Sequence, residues 1–207
     1  MLNIVTVLRS GGIYVPEHVM TLSRLLNDVM RKPYHFQCFT DVEIKGIRTM
    51  PLREGWLGWW SKIEVFREPF ADTTLFLDID TLPLADLSFL DGYAGFAMVR
   101  DFFFPKKTNS GAMLWTGDHR DIFEAYRIHP VTDGGDGAYI STMRPDTDRL
   151  QDLWPGKFVS FKVDCRRDLR DRSIRRIPEN VAMLCFHGRP KPWDCGGPIQ
   201  KAWDACG

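Results

Sequence analysis

The chain has 207 residues, 44% hydrophobic and 13% aromatic, enough for one substantial core and short for two. Its 27 Lys and Arg side chains cancel its 27 Asp and Glu, so no global field drives binding to nucleic acid or an anionic membrane, and only local patches remain for such roles. Five cysteines, odd in number and without a CxxC pair, argue against a disulfide framework and against a zinc site; the cytoplasm is the expected compartment.

Ile4-Val5-Thr6-Val7-Leu8 reads as a buried first strand, followed by the turn Arg9-Ser10-Gly11-Gly12. The opening is too short for a signal peptide, and no apolar run approaches the roughly 20 residues of a membrane span. A helix is predicted from Pro16, whose fixed φ suits the first helical position, with Val19, Leu22, Leu26 and Val29 on one stripe. The segment 35–41 is predicted as a second strand. Arg48 to Gly58 is predicted as a loop, because Pro51, Gly55 and Gly58 interrupt it. A short helix carrying Trp60, Ile63 and Phe66 follows.

Leu75-Phe76-Leu77-Asp78-Ile79-Asp80-Thr81-Leu82 then runs from an apolar stretch straight into two carboxylates at i and i+2. Such a run suits a strand buried on both faces of a mostly parallel sheet, and open α/β sheets bind ligands at the carboxyl ends of their strands. Taken alone, the pair is either a metal site or a pair of turn carboxylates. Further apolar runs at 95–99, 112–115 and 181–186 are predicted strands. Asn109-Ser110-Gly111 is predicted as a turn, Thr116 or Asp118 as the cap of a helix with Ile122, Phe123 and Tyr126 inside, and Gly135-Asp136 as the head of another. Strands alternating with short helices indicate one α/β domain.

In this order, the Asp78-Ile79-Asp80 strand end, the Asn109-Ser110-Gly111 segment, the Gly135-Asp136 helix head and the tail Phe186-His187-Gly188-Arg189-Pro190-Lys191-Pro192-Trp193 resemble glycosyltransferase family 8, the family of glycogenin and the bacterial lipooligosaccharide galactosyltransferases. The resemblance spans nearly the whole chain. It implies a GT-A (Rossmann-like) fold over 1–207, a nucleotide-binding part at about 1–100 and an acceptor part at about 101–207. It further implies a nucleotide-sugar donor, commonly a UDP-sugar, dependence on Mn²⁺ with Mg²⁺ as substitute, and transfer of a hexose with retained configuration to a hydroxyl, by preference on a saccharide. Position by position, Asp78, Asp80 and His187 would hold the metal, and Lys191 and Gly188 the diphosphate. Thr6, Leu8, Arg9 and Tyr14 would lie near base and ribose, with Lys62 near the donor. Asp101 and Asn109 would approach the transferred sugar and Asp136 the reacting face. Gly137 stands where relatives usually carry Gln, which removes one sugar contact and leaves donor identity more open than donor class.

The chemistry is coherent with those residues. A departing diphosphate needs positive charge, which a divalent metal and Lys191 supply; the mixed carboxylate and imidazole set suits Mn²⁺ somewhat better than Mg²⁺. On the sugar side, Asp136 has three open roles: oxocarbenium stabiliser, nucleophile or acceptor orienter. Trp56, Trp59 and Trp60 divide between a sugar-stacking rim and core packing, with Trp60 on the core stripe. The run Arg166, Arg167, Arg170, Arg172, Arg175 and Arg176 reads as a solvated face, with an anchor for a phosphorylated acceptor, a lipid surface or nucleic acid as the alternative. A haloacid-dehalogenase-like phosphatase would need Thr or Val where Leu82 stands. A non-catalytic nucleotide-sugar or nucleic-acid binding module would have no need of a complete metal set. The expected location is cytoplasmic, or peripheral at the inner face of a membrane.

Overall fold

The computed structural model describes residues 1–167 and 175–207. The elements in chain order are β1 (Leu2–Leu8), α1 (Pro16–Val29), β2 (Tyr34–Thr40), β3 (Arg48–Pro51), a 3₁₀ helix (Gly58–Arg67), β4 (Phe70–Leu77), β5 (Thr81–Pro83), β6 (Phe96–Arg100) and β7 (Thr108–Gly117). There follow α2 (Arg120–Ile128), α3 (Gly135–Met143), β8 (Asp148–Arg149), α4 (Leu150–Leu153), β9 (Phe158–Ser160), β10 (Arg166–Arg167), β11 (Arg175–Arg176), β12 (Met183–Cys185) and α5 (Gly197–Ala205). Among the described residues the main sheet runs β3-β2-β1-β4-β7-β6-β8. Four of its pairings are parallel, and only those of β7 with β4 and β6 are antiparallel.

Hydrophobic pattern and local chemistry account for most of this. Val19, Leu22 and Leu26 bury the face of α1 that packs on the sheet. Leu75, Phe76 and Leu77 are fully buried, as a central strand with neighbours on both sides requires. Leu75 contacts the core through its partners Ile4 and Leu114, so Leu75→Ala is expected to lower unfolding free energy in urea by about 2–5 kcal/mol. A loss under about 1 kcal/mol would show that the centre of the sheet is not the tightly packed core.

Three segments depart from the sequence reading. Arg48–Pro51 is a strand rather than loop, parallel to β2 at the sheet edge, where a proline without an N–H breaks no ladder. Asn109-Ser110-Gly111 is not a turn but the start of β7. There the pairing with β6 slips, from Met98 opposite Met113 to Val99 opposite Asn109. The resulting bulge re-aims side chains at the sheet end. The run into Asp78-Ile79-Asp80 is not one strand, because Thr81–Pro83 leaves the main sheet for a second one, ordered β5-β12-β9. At the head of α2 the cap position falls to His119 and not to Thr116 or Asp118, although Asp118 just before it accepts the N–H of Arg120 at 2.9 Å.

Candidate active site

Where β4 ends, the backbone is pinned across the bulge. Asp78 N–H donates to Gly111 O at 2.9 Å, and Thr81 N–H closes the turn onto Asp78 O at 2.9 Å. Gly111 permits this approach, since a Cβ there would stand 2.9 Å from Asn109 Oδ1 and 3.5 Å from Asp78 Oδ2. The Asp78 carboxylate meets Lys62 Nζ at 2.8 and 2.9 Å. Lys62 also lies 3.4 Å from Asp136 Oδ2, so one ammonium links two carboxylates. Burial pushes the Asp78 carboxyl up to about 7; Lys62 opposes that shift and Asp80 adds to it. Burial disfavours the charge on Lys62, but Asp78 and Asp136 outweigh it and raise the pKa.

The second sheet delivers the distant half of the site. Leu184 of β12 stands opposite Leu82 of β5, and Cys185 opposite Ser160 of β9, so the tail that leaves β12 emerges beside Asp80. Lys191, 7% exposed, donates from Nζ to Asp80 Oδ2 and, at 2.9 Å, to Tyr14 Oη. Tyr14 Oη in turn donates to Asp80 Oδ2 at 3.0 Å, and burial, then Asp80, pushes its pKa far up. The other oxygen, Asp80 Oδ1, is buried without a hydrogen-bond partner. An unpaired carboxylate lone pair in the interior is costly and calls for a cation.

His187 follows on the same tail, its ring 5.4 Å from Phe102 in a stack and edge-on to Phe103 at 4.9 Å. Ser160 Oγ accepts the N–H groups of Lys162 and Val163, both at 3.1 Å, which directs its own proton to His187 Nε2 at 2.7 Å. Burial lowers the His187 pKa, and Lys162 lowers it further. Among the described residues no group of three or more His, Cys, Asp or Glu converges to enclose a metal ion. Asp78, Asp80 and His187 nevertheless line one cavity of about 210 Å³, together with Tyr14, Lys62, Asn109, Asp136, Gly188 and Lys191. The carboxylate pair with its orphaned Oδ1 fits a divalent cation. His187 faces the same cavity, but its Nε2 is engaged by Ser160.

Asp136 enters through a turn only glycines accommodate: Gly134 and Gly135 have φ of 79° and 78°. The carboxylate then sits in the first turn of α3, where the helix dipole favours it. It is 7% exposed and accepts a hydrogen bond from Ser110 Oγ at 2.5 Å. Beyond it a groove of about 650 Å³ opens, sharing Asn109, Ser110 and Asp136 with the smaller cavity. Asp101 belongs to this groove and not to the cavity around Asp78: its Oδ1 caps the loop after β6, accepting Phe103 and Phe104 N–H at 2.8 and 2.7 Å.

On the opposite side lies a hollow of about 710 Å³ bounded by Val7, Arg9, Tyr14, Trp59, Lys62, Asp78, Gly188 and Lys191 among others. The expectation for Thr6 and Leu8 is corrected here. Both side chains are buried, Thr6 donating to Leu77 O at 2.7 Å and Leu8 packing with Val19 and Ile79; alternation along β1 presents Val7 and Arg9 to the hollow instead. Arg9 is held there by Asp41 at 3.3 Å and by buried Glu64 at 3.7 Å.

Sequence reasoning missed Ser110, Ser160 and Phe102, since single Ser and Phe residues carry no spacing signal. Of the tryptophans, Trp59 is 58% exposed at the rim of both openings, whereas Trp56 and Trp60 pack on Tyr126 at 4.7 and 5.0 Å. Of the arginine run, Arg170 and Arg172 lie outside the described residues. Arg166–Arg167 and Arg175–Arg176 pair as a two-stranded ribbon, and Arg175 ties loop carbonyls of Phe161, Lys162 and Cys165 at 3.0–3.1 Å, a structural task. All five cysteines are free thiols. No described helix is long and apolar enough to cross a membrane.

No family model matches the chain. No curated protein matches it in sequence. Solved structures do. The galactosyltransferase LgtC, in complex with donor and acceptor sugar analogues, superposes with a TM-score of 0.68 at 14% identity, over 99% of this chain and 94% of that one. The glycosyltransferase GlyE of Streptococcus pneumoniae TIGR4 gives 0.70 at 15% identity, over 100% of this chain and 60% of that one. The bifunctional glycosyltransferase WbbM gives 0.60 at 12%, over 93% and 46%. At such identities the likeness is one of fold, and it establishes the fold of this chain as the GT-A arrangement that these glycosyltransferases share.

Proposed function

We propose that this protein is a metal-dependent, retaining glycosyltransferase of the family 8 type, which moves a hexose from a nucleotide-sugar, by preference a UDP-sugar, to a hydroxyl acceptor, by preference on a saccharide. The observation that carries this reading is the convergence of Asp78, Asp80, Lys191, Tyr14 and His187 between a hollow on the β1 side and a groove beyond Asp136. Asp78 and Asp80 would hold Mn²⁺, joined by His187 once it gives up Ser160. When bound, the metal supplies Lewis-acid stabilisation of the leaving diphosphate.

The chain's own residues do the rest. Lys191 offers a buried ammonium to a diphosphate oxygen, and Tyr14 orients that ammonium. Lys62 spans from Asp78 to Asp136 and so can follow charge as it moves from sugar to phosphate. Asp136, held by Ser110, stands where positive charge would develop on the ring; stabiliser, nucleophile and acceptor orienter are the roles open to it. Trp59 and Tyr14 flank the hollow that would take the base and ribose.

A donor screen tests the reading. With Mn²⁺ present, one among UDP-, GDP- and ADP-sugars at 100 times its Kd is expected to stabilise the protein by about 2.7 kcal/mol, visible as a thermal shift absent in EDTA. No shift with any donor would overturn it. The same assay read as nucleoside diphosphate release separates a transferase from a non-catalytic binder.

A further inference from the structure

We propose that the acceptor of this enzyme is an anion, a saccharide bearing phosphate or carboxylate, gripped by Lys106, Lys107 and Arg149 in the groove beyond Asp136. The inference rests on the glycosyl-transfer reading above and names the chemical class of its second substrate. A molecule lying in the groove reaches Asp136, Asn109 and Ser110, the residues shared with the cavity of the carboxylate pair, so its hydroxyl can meet the transferred sugar there.

The charge on this wall is one-sided. Lys106, Lys107, Arg144 and Arg149 face only Asp101 and Asp136. Both acids are already engaged, Asp101 by the backbone N–H groups of Phe103 and Phe104, Asp136 by Ser110 and Lys62. Arg144 is engaged too, by Asp121 at 2.6 Å and by His119. Lys106, Lys107 and Arg149 have no carboxylate partner among the described residues. They are also drawn together: Arg149 donates to Lys106 O at 3.3 Å, which clasps the loop after β6 to β8. Lys107 Nζ sits 5.5 Å from the centroid of the Phe104 ring, and that ring, 63% exposed, offers an apolar face of the kind a sugar packs on. With Arg144 offset by Asp121 and Asp136 by Lys62, three cations face the one remaining carboxylate, Asp101, and this net positive charge on a concave wall raises the local concentration of an anion and does nothing for a neutral sugar.

The experiment gives the full chain Mn²⁺ and the donor found by the screen, and compares methyl galactoside, galacturonate and galactose 6-phosphate as acceptors. The charged acceptors are expected to exceed the neutral one in kcat/KM by about tenfold or more, an advantage that shrinks as NaCl screens the groove. Phosphate and carboxylate are told apart by which of the two is preferred. In K106A/K107A the charged-to-neutral ratio is expected to fall about tenfold, each exposed charge contributing up to about fivefold. A neutral acceptor used equally well, or a preference that survives in the variant, would overturn the proposal. Binding of galactose 6-phosphate against galactose, followed by NMR, reads the groove without turnover. If no donor is turned over yet the phosphosugar binds and the variant loses it, the transferase reading fails and the anion groove stands. If neither sugar is preferred in binding, the groove assignment fails by itself.

Discussion

Asp78→Asn is expected to lower Mn²⁺-dependent diphosphate release by about 10²- to 10³-fold, the usual loss when one preorganised charge is removed from a reacting centre. Asparagine keeps the shape of the side chain and the turn closed by Thr81 N–H, since that bond is made by the backbone of residue 78. The fold should therefore persist, as read by circular dichroism and a single cooperative unfolding transition. Lys62 keeps Asp136 at 3.4 Å as its remaining partner, which limits the charge left unbalanced. Turnover within threefold of wild type, with saturating Mn²⁺, would remove Asp78 from the metal-holding set.

Lys191→Met is expected to have the largest effect on stability. Asp80 and Lys191 are 2% and 7% exposed, and Asp80 Oδ1 already lacks a partner. Removing the ammonium leaves a buried carboxylate with only Tyr14 Oη to donate to it. Breaking a buried pair from one side costs about 3–5 kcal/mol, whereas neutralising both sides with shape-similar residues is often nearly neutral. In EDTA, K191M should thus unfold at markedly lower urea, and D80N/K191M should recover most of the loss while remaining inactive. If Asp80 holds Mn²⁺, the metal replaces the missing ammonium, so the K191M deficit should shrink when Mn²⁺ is added. A deficit unchanged by Mn²⁺ would separate Asp80 from metal binding, and a deficit below about 1 kcal/mol would mean that the pair is better solvated than its burial indicates.

These two experiments also divide the roles of the two lysines. Lys62, on the 3₁₀ helix, is tied to Asp78 and Asp136, while Lys191, on the tail, is tied to Asp80 and Tyr14. Each carboxylate of the pair has its own cation. A diphosphate and a metal entering the cavity would have to share or displace both.

The sequence by itself determined the first strand and helix, the second strand, the apolar run that ends at Asp78 and the glycine turn that presents Asp136; the pairing of the tail residues with the carboxylates came from the resemblance to a family. Those features are written in local pattern: apolar runs, a proline at a helix start and glycines at positive φ all act within a few residues of themselves. Pairing was not local and so was not legible. Arg48–Pro51 carries no strand signal and becomes one only because β2 offers an edge. Asn109-Ser110-Gly111 has the composition of a turn, yet the ladder between β4 and β6 holds it as a bulge. Thr6 and Val7 differ by one position along β1, and which of them faces the hollow is set by which face of the sheet α1 covers. Only the tertiary structure decided that Lys62 bridges Asp78 to Asp136, that Ser160 holds His187, and that Lys106, Lys107 and Arg149 share one groove. Lys62 and Asp136, Ser160 and His187, and the Lys106-Lys107 pair and Arg149 are each far apart in sequence, so the ion pair, the hydrogen bond and the shared groove exist only after the sheets have closed.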